Sequence, residues 1–160
     1  MSSDPEILIL GIGNEILTDD GIGVKIVKLL EKNFNNVSIN YETIWVGGLD
    51  LIEVFDGYKI IIIIDAIKTG EKEPGFIWDL TPENFRDTLH LSNIHDLTFI
   101  EAINAGRKLG YKIPESIHVL AIEILEDTVF SKEFSSEIQH CYDRILESIV
   151  NKIKKIINSQ

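Results

Sequence analysis

Short apolar runs alternate along the chain with stretches in which apolar residues recur every three or four positions. The runs are typical of buried β-strands, and the other stretches are typical of amphipathic helices. The clearest strand is residues 59–66, where five consecutive isoleucines indicate burial on both faces of a sheet. The pattern predicts strands at residues 7–12, 37–45, 59–66, 76–80 and 116–124, and helices at about 18–32, 48–55, 96–110 and 132–157.

Strands that alternate with helices favour a parallel or mostly parallel sheet with helices on both faces. We therefore predict a single α/β domain over residues 1–160, with the short strand at 76–80 on an edge of the sheet. Sheets of this kind bind ligands beyond the carboxyl ends of their strands. This rule selects the loop after Ile12, the loop after Ile64 and the segment that leads into the helix at 96–110.

The composition narrows the class of protein. The chain has 160 residues and a formal net charge of −11, from 26 acidic and 15 basic residues. Because nucleic acids and anionic membranes are bound by clustered cations, neither is expected to be a main partner. The single Cys141 excludes an internal disulfide and fits a reducing cytoplasm. The polar residues after Met1 predict no secretory signal, and the longest apolar run is too short to span a bilayer.

The three segments selected by the sheet rule carry two acids and a histidine. Glu15 lies in the loop after the first strand, Asp65 directly follows the five isoleucines, and His95 precedes a helix for which Asn93 is the predicted N-cap. Asp65 can also be explained as a carboxylate bonded to backbone amides, and His95 as a capping or surface residue at a helix start. Helix capping does not explain Glu15, which precedes the cap at the end of the strand. Together they form an O,O,N set with open positions, which suits a borderline divalent metal.

A nucleotide site is the weaker interpretation of the first loop. Gly11 and Gly13 suggest a dinucleotide-binding motif, but Ile16 replaces its third glycine. The acidic side chains of the same loop would also repel a phosphate group. We therefore expect no nucleotide to bind there.

The neighbouring acids and the other histidines have simpler explanations. Asp19 and Asp20 can cap the first helix and interact favourably with its dipole. His90 lies in a polar connection, His118 lies in a strand and His140 lies on the last helix, so none is favoured as a ligand.

Four segments of the chain are distinctive: ILGIGNEILTDDGIGVKIVKLL, VGGLDLIEVFDGYKIIIIIDAIKTG, SNIHDLTFIEAI and HVLAIEILED. In sequence and in order they resemble the hydrogenase maturation endopeptidases, which remove a C-terminal extension from the large subunit of nickel–iron hydrogenases. The resemblance implies a three-layer sandwich, in which helices cover both faces of a twisted, mostly parallel five-stranded sheet with one antiparallel edge strand. It also implies a metal-dependent endopeptidase.

The resemblance assigns roles to particular residues. The nickel ligands of the family fall on Glu15, Asp65 and His95, which would therefore also be the catalytic cluster, and Asp19 becomes a candidate for orienting one of them. Nickel would arrive with the substrate, where it can polarise the scissile carbonyl or lower the pKa of a water, and a carboxylate of the cluster would take the proton. The isolated chain would then hold nickel poorly, although another divalent metal can occupy the site in vitro.

The implied partner is the hydrogenase large-subunit precursor, and we expect a cytoplasmic monomer. The alternative hypothesis is a non-cleaving protein that senses metal or acts as a scaffold in hydrogenase assembly. Mass measurement of a nickel-loaded precursor after incubation with the chain separates the two.

Overall fold

A computed structural model describes residues 6–45, 50–92 and 97–160 of the chain. Within these residues, five strands form one sheet in the order β2-β1-β3-β5-β4. The strands are β1 (Ile7–Ile12), β2 (Ile39–Ile44), β3 (Ile60–Ile67), β4 (Ile77–Leu80) and β5 (Ser116–Glu123). The α-helices are α1 (Ile22–Asn33), α2 (Asp50–Val54), α3 (Phe99–Lys108) and α4 (Ser136–Asn158).

The strand directions confirm a mostly parallel sheet. β1 pairs in parallel with β2 and β3, β3 pairs in parallel with β5, and β4 lies antiparallel to β5 at the edge. From β1 the chain continues to β2 on one side, whereas from β3 it continues to β4 and β5 on the other side. The carboxyl ends of β1 and β3 therefore form a topological switch point, which is where open α/β sheets place their ligands.

Two apolar cores lie on the two faces of the sheet, because successive side chains of a strand point to opposite faces. Leu8 and Leu10 of β1 belong to the core that includes residues of α2 and α3. Ile7 and Ile9 belong to the core that includes residues of α1 and α4. The predicted three-layer arrangement is confirmed. None of the helices in the described part of the chain combines the length and apolar character needed to cross a membrane.

The helix starts differ from the prediction. Residues Thr18–Gly21 form a 3₁₀ turn before α1, so the regular helix begins at Ile22 rather than near residue 18. α3 begins after Thr98, whose hydroxyl accepts a hydrogen bond from the Glu101 amide while the Glu101 carboxylate accepts one from the Thr98 amide. The N-cap of α3 is therefore Thr98 and not the predicted Asn93. Asn93 itself lies outside the described residues.

The glycines of the first loop allow close packing of α1 on the sheet. A Cβ on Gly23 would collide with the Ile64 carbonyl oxygen and would lie 2.8 Å from the Ile12 carbonyl oxygen. Gly13 has φ +147°, and a Cβ there would collide with the Asp20 carbonyl oxygen. These positions need glycine so that the start of α1 can contact the carboxyl ends of β1 and β3.

Candidate active site

Four carboxylates are buried at the carboxyl edge of the sheet: Asp19, Asp20, Asp65 and Glu123. A buried carboxylate is costly unless hydrogen bonds or opposite charges stabilise it. The partners of each one therefore indicate whether it anchors a loop or belongs to a reactive site.

Asp65 lies in the central strand β3, at its carboxyl end, and its side chain is fully buried. Its Oδ1 accepts a hydrogen bond from the Ala66 amide at 2.8 Å and lies 2.6 Å from His90 Nδ1. Its Oδ2 accepts hydrogen bonds from the Thr88 hydroxyl at 2.5 Å and from the His90 amide at 3.2 Å. The Leu89 amide donates to the Ala66 carbonyl at 3.0 Å, which keeps this segment beside β3. Both oxygens of Asp65 are therefore occupied by protein groups.

His90 connects Asp65 to a second buried carboxylate. Its Nε2 lies 3.2 Å from Asp20 Oδ1, and Asp20 Oδ2 accepts a hydrogen bond from the Asn14 amide at 2.7 Å. Burial lowers the pKa of the His90 imidazole, but the hydrogen bonds and charges of Asp20 and Asp65 have the larger combined effect and raise it to about 10. The ring is thus an imidazolium that links the loop after β1 to the end of β3.

Asp19 points away from this group. Its Oδ1 accepts from the Ser135 amide at 2.8 Å, and its Oδ2 accepts from the Ser135 hydroxyl at 2.7 Å and from the Glu126 and Leu125 amides at 3.0 and 3.3 Å. Asp19 therefore anchors the connection between β5 and α4. In the described part of the chain no side chain caps the 3₁₀ turn or α1, so the predicted capping role of Asp19 and Asp20 is wrong.

Glu123 anchors a second loop, at the end of β5. One carboxylate oxygen accepts from the amides of Thr69 and Gly70, and the other accepts from the Thr69 hydroxyl and the Trp78 indole N–H. These bonds fix the connection that follows β3. Glu123 and Asp19 hold loops in place, whereas Asp20 and Asp65 share an imidazole.

An unusual backbone conformation begins the 3₁₀ turn that contains Asp19 and Asp20. Thr18 has φ +53°, a region that a β-branched residue rarely adopts. The Ser131 carbonyl accepts a hydrogen bond from the Thr18 amide at 3.0 Å, and the Val129 carbonyl accepts one from its hydroxyl at 2.5 Å. The connection between β5 and α4 thus stabilises the strained residue, as is common beside functional sites.

Of the other two predicted ligands, the structure describes only Glu15. The Glu15 carboxylate pairs with Lys28 Nζ at 2.5 Å, and the two side chains are 38% and 52% exposed. His95 lies outside the described residues. Among residues 6–45, 50–92 and 97–160, no group of three His, Cys, Asp or Glu side chains is arranged to hold a metal ion. The convergence of Glu15, Asp65 and His95 on one ion stays a prediction.

Comparison with known proteins identifies the family. The family model described as hydrogenase maturation protease matches residues 24–152. The chain belongs to the hydrogenase maturation protease family. It is 31% identical over 121 residues to the hydrogenase 2 maturation protease of Escherichia coli K12, covering 72% of this chain and 71% of the relative. A relative from Methanocaldococcus jannaschii, also named for hydrogenase maturation, is 32% identical over 163 residues, covering 94% and 97%.

Solved structures of this family share the fold. The hydrogenase-maturating endopeptidase HybD from E. coli superposes with a TM-score of 0.72 at 24% identity, over 94% of this chain and 93% of that one. HybD from Thermococcus kodakarensis gives a TM-score of 0.67 at 24% identity, over 92% and 98%. The predicted fold class, family and enzyme class are confirmed: the chain is a maturation endopeptidase with an α/β sandwich fold.

Sequence reasoning missed His90 in this endopeptidase. Its segment was interpreted as a polar connection, yet Thr88 and His90 alternate with the apolar Leu89 and Leu91. Such alternation is typical of an extended segment, but residues 89–91 form a turn in the structure. Leu91 is fully buried, and both polar side chains contact Asp65. A period of two over four residues was the one available signal, and it is too short to be decisive.

Proposed function

We propose that this chain is a metal-dependent endopeptidase that removes the C-terminal extension of a nickel-loaded hydrogenase large-subunit precursor. The family supports the proposal, and so does the relative in E. coli, which is named for the maturation of a hydrogenase. The observation that carries it to particular residues is the position of Asp65. This fully buried carboxylate lies at the switch point between β1 and β3, where the fold predicts the substrate site.

The proposed ligands of the incoming nickel are Glu15, Asp65 and His95. Two carboxylate oxygens and one imidazole nitrogen suit a borderline divalent ion, and three protein ligands leave positions for groups of the substrate. The Glu15 environment is compatible with this role, because its present partner is the exposed Lys28 ammonium, which an incoming cation can replace. The metal is then part of the substrate, and only a loaded precursor completes the site.

Bound nickel would polarise the scissile carbonyl or lower the pKa of an attacking water. Glu15 is the better candidate to take the proton from that water, because its side chain is partly exposed whereas both oxygens of Asp65 accept hydrogen bonds from the protein. Asp65 would hold the ion in position. Asp19 would act at a distance, by fixing the turn that carries Asp20.

We also infer that the enzyme acts as a cytoplasmic monomer and that residues 1–160 form one domain. The single Cys141 is free in the structure, and a free thiol suits a reducing compartment. Light scattering over a range of protein concentrations tests the oligomeric state. A measured molar mass that rises to twice the mass of one chain would contradict the inference of a monomer.

The experiment that tests the proposed function uses a hydrogenase large-subunit precursor prepared with and without nickel. We expect the purified chain to shorten only the loaded precursor, as measured by intact mass. Asp65→Asn keeps the size of the side chain and removes its charge, so we expect it to abolish cleavage while circular dichroism stays unchanged. Asp79→Asn is the matched control, because Asp79 is an exposed residue of the edge strand β4 and pairs with Lys152.

Each alternative has its own outcome. Binding of the loaded precursor without any shortening would favour the non-cleaving metal-sensing or scaffold protein. Equal cleavage of the nickel-free precursor would refute the coupling to metal, and normal cleavage by Asp65→Asn would refute the role of Asp65. Equilibrium dialysis is the test of delivery by the substrate, since one tightly held nickel per isolated chain would contradict it.

A further inference from the structure

We propose that His90 is a positioning residue that occupies Asp65 in the precursor-free enzyme and must withdraw before Asp65 can bind a metal ion. The proposal rests on the proposed function, because it takes Asp65 to be a metal ligand. It goes beyond that function by assigning a role to a residue that is not among the proposed ligands. His90 would prevent the enzyme from capturing free metal.

The first step is competition for one oxygen atom. His90 Nδ1 lies 2.6 Å from Asp65 Oδ1, and the ring is mostly buried, with 14% of the side chain exposed. A transition metal bound by a carboxylate sits at about 2.0–2.2 Å from the oxygen. The ring nitrogen and an ion on its side of Oδ1 therefore cannot be present together. The Ala66 amide also donates to Oδ1, but it belongs to the next residue of the chain and cannot move away to admit an ion.

The second step is that His90 also holds Asp20. Its other ring nitrogen lies 3.2 Å from Asp20 Oδ1, so one ring separates two buried carboxylates. Two carboxylates on opposite sides of one group repel each other when no hydrogen-bond donor or cation lies between them. The ring thus occupies the position in which a divalent cation would be most stabilised. Its removal would leave two buried acids that attract a cation.

The third step is a comparison with Glu15. The Lys28 ammonium on Glu15 is 52% exposed and can move into solvent when a cation arrives. His90 moves less easily, because its ring is mostly buried between Asp20 and Asp65 and its own amide donates to Asp65 Oδ2, so its withdrawal requires a shift of this segment. Docking of the precursor beside this segment is the event that would supply the shift. The enzyme then takes nickel with the precursor and not from solution.

The test measures binding of nickel ions alone to the full chain by isothermal titration calorimetry. His90→Ala removes the ring that occupies Asp65 Oδ1, so we expect nickel affinity at least tenfold higher than in the unmodified chain. His90→Gln keeps one donor, and we expect an intermediate gain. The gain should disappear in the double variant His90→Ala/Asp65→Asn. His118→Ala is the matched control, because His118 lies on β5 and contacts Ser116, and we expect no change.

Three outcomes would overturn the proposal. Unchanged nickel affinity in His90→Ala would show that the ring does not compete, and lower affinity would make His90 itself a ligand. A gain that persists without the Asp65 charge would place the ion elsewhere. If His90→Ala does not fold, His90→Gln decides by the same criteria. Cleavage of loaded precursor by the unmodified chain is measured separately, so failure of the proposed function is distinguishable from failure of this inference.

Discussion

Replacement of Asp19 by Ala is predicted to destabilise the protein strongly, although Asp19 makes no contact with Asp65 or His90 in the described residues. The Asp19 side chain is fully buried and accepts four hydrogen bonds from the connection between β5 and α4. Truncation leaves three backbone amides and one hydroxyl without their acceptor. A buried donor without a partner costs about 1–3 kcal/mol.

The four penalties do not simply add, because water can enter the vacated space and the neighbouring groups share it. The expected loss for Asp19→Ala is therefore about 3–5 kcal/mol, more than the cost of one unsatisfied buried donor and less than the sum of four. Asp19→Asn keeps one oxygen that can accept three of the four bonds, and its amide group then faces the Ser135 amide. We expect this variant to lose about 1–3 kcal/mol.

Urea unfolding followed by far-ultraviolet circular dichroism measures these losses as changes in the transition midpoint. Glu147→Ala is the control, because Glu147 is exposed on α4 and alanine is a good helix former; its effect should stay within about 0.5 kcal/mol. Equal midpoints for Asp19→Ala and the unmodified chain would refute the anchoring role. So would loss of cleavage in a variant whose stability is unchanged, since Asp19 would then act in the chemistry.

Three further predictions concern the framework of the site. Gly23→Ala should cost about 1–3 kcal/mol in urea unfolding, because its Cβ would collide with the carbonyl oxygen that ends the β3 isoleucine run. Hydrogen bonds from the Thr128 hydroxyl and from nearby amides lower the pKa of Glu126 to about 2, so carbon-detected NMR should show this carboxyl still ionised at pH 3. Its contribution to stability is present above pH 4.5 and is lost as the pH falls through 2. Thr98→Ala should lower stability by about 1 kcal/mol through loss of the capping box with Glu101, and thermal unfolding measures it.

The layers of the fold were predictable because each depends on local spacing. Five consecutive isoleucines can be satisfied only by a strand that is buried on both faces, and all five are buried in β3. The alternation of strands and helices then determines a parallel sheet with two cores. The exact helix starts were not predictable, because Thr98 and Asn93 are both good caps and the choice depends on where the chain reaches the sheet.

The position of Asp65 at the edge of the sheet followed from the same reasoning, but its hydrogen-bond partners did not. Asp65 was selected because an acid after an apolar strand needs an explanation, and it does lie at the switch point. Asp19 and Asp20 are adjacent, and sequence cannot tell which of them faces Asp65. In a 3₁₀ turn neighbouring side chains diverge by about 120°, so one acid reaches His90 and the other reaches Ser135.

The role proposed for His90 follows from a general requirement of buried acids. If nickel arrives with the precursor, as proposed, the buried Asp65 carboxylate needs another stabilising partner until then. Some group of the chain has to stabilise Asp65 in the meantime, and that group must be able to leave. An amide or hydroxyl can supply part of this stabilisation, but a charged ring shared with Asp20 supplies it for two acids at once. The residue that stabilises Asp65 in this way is determined by the tertiary fold, so a sequence motif that identifies metal ligands does not identify His90.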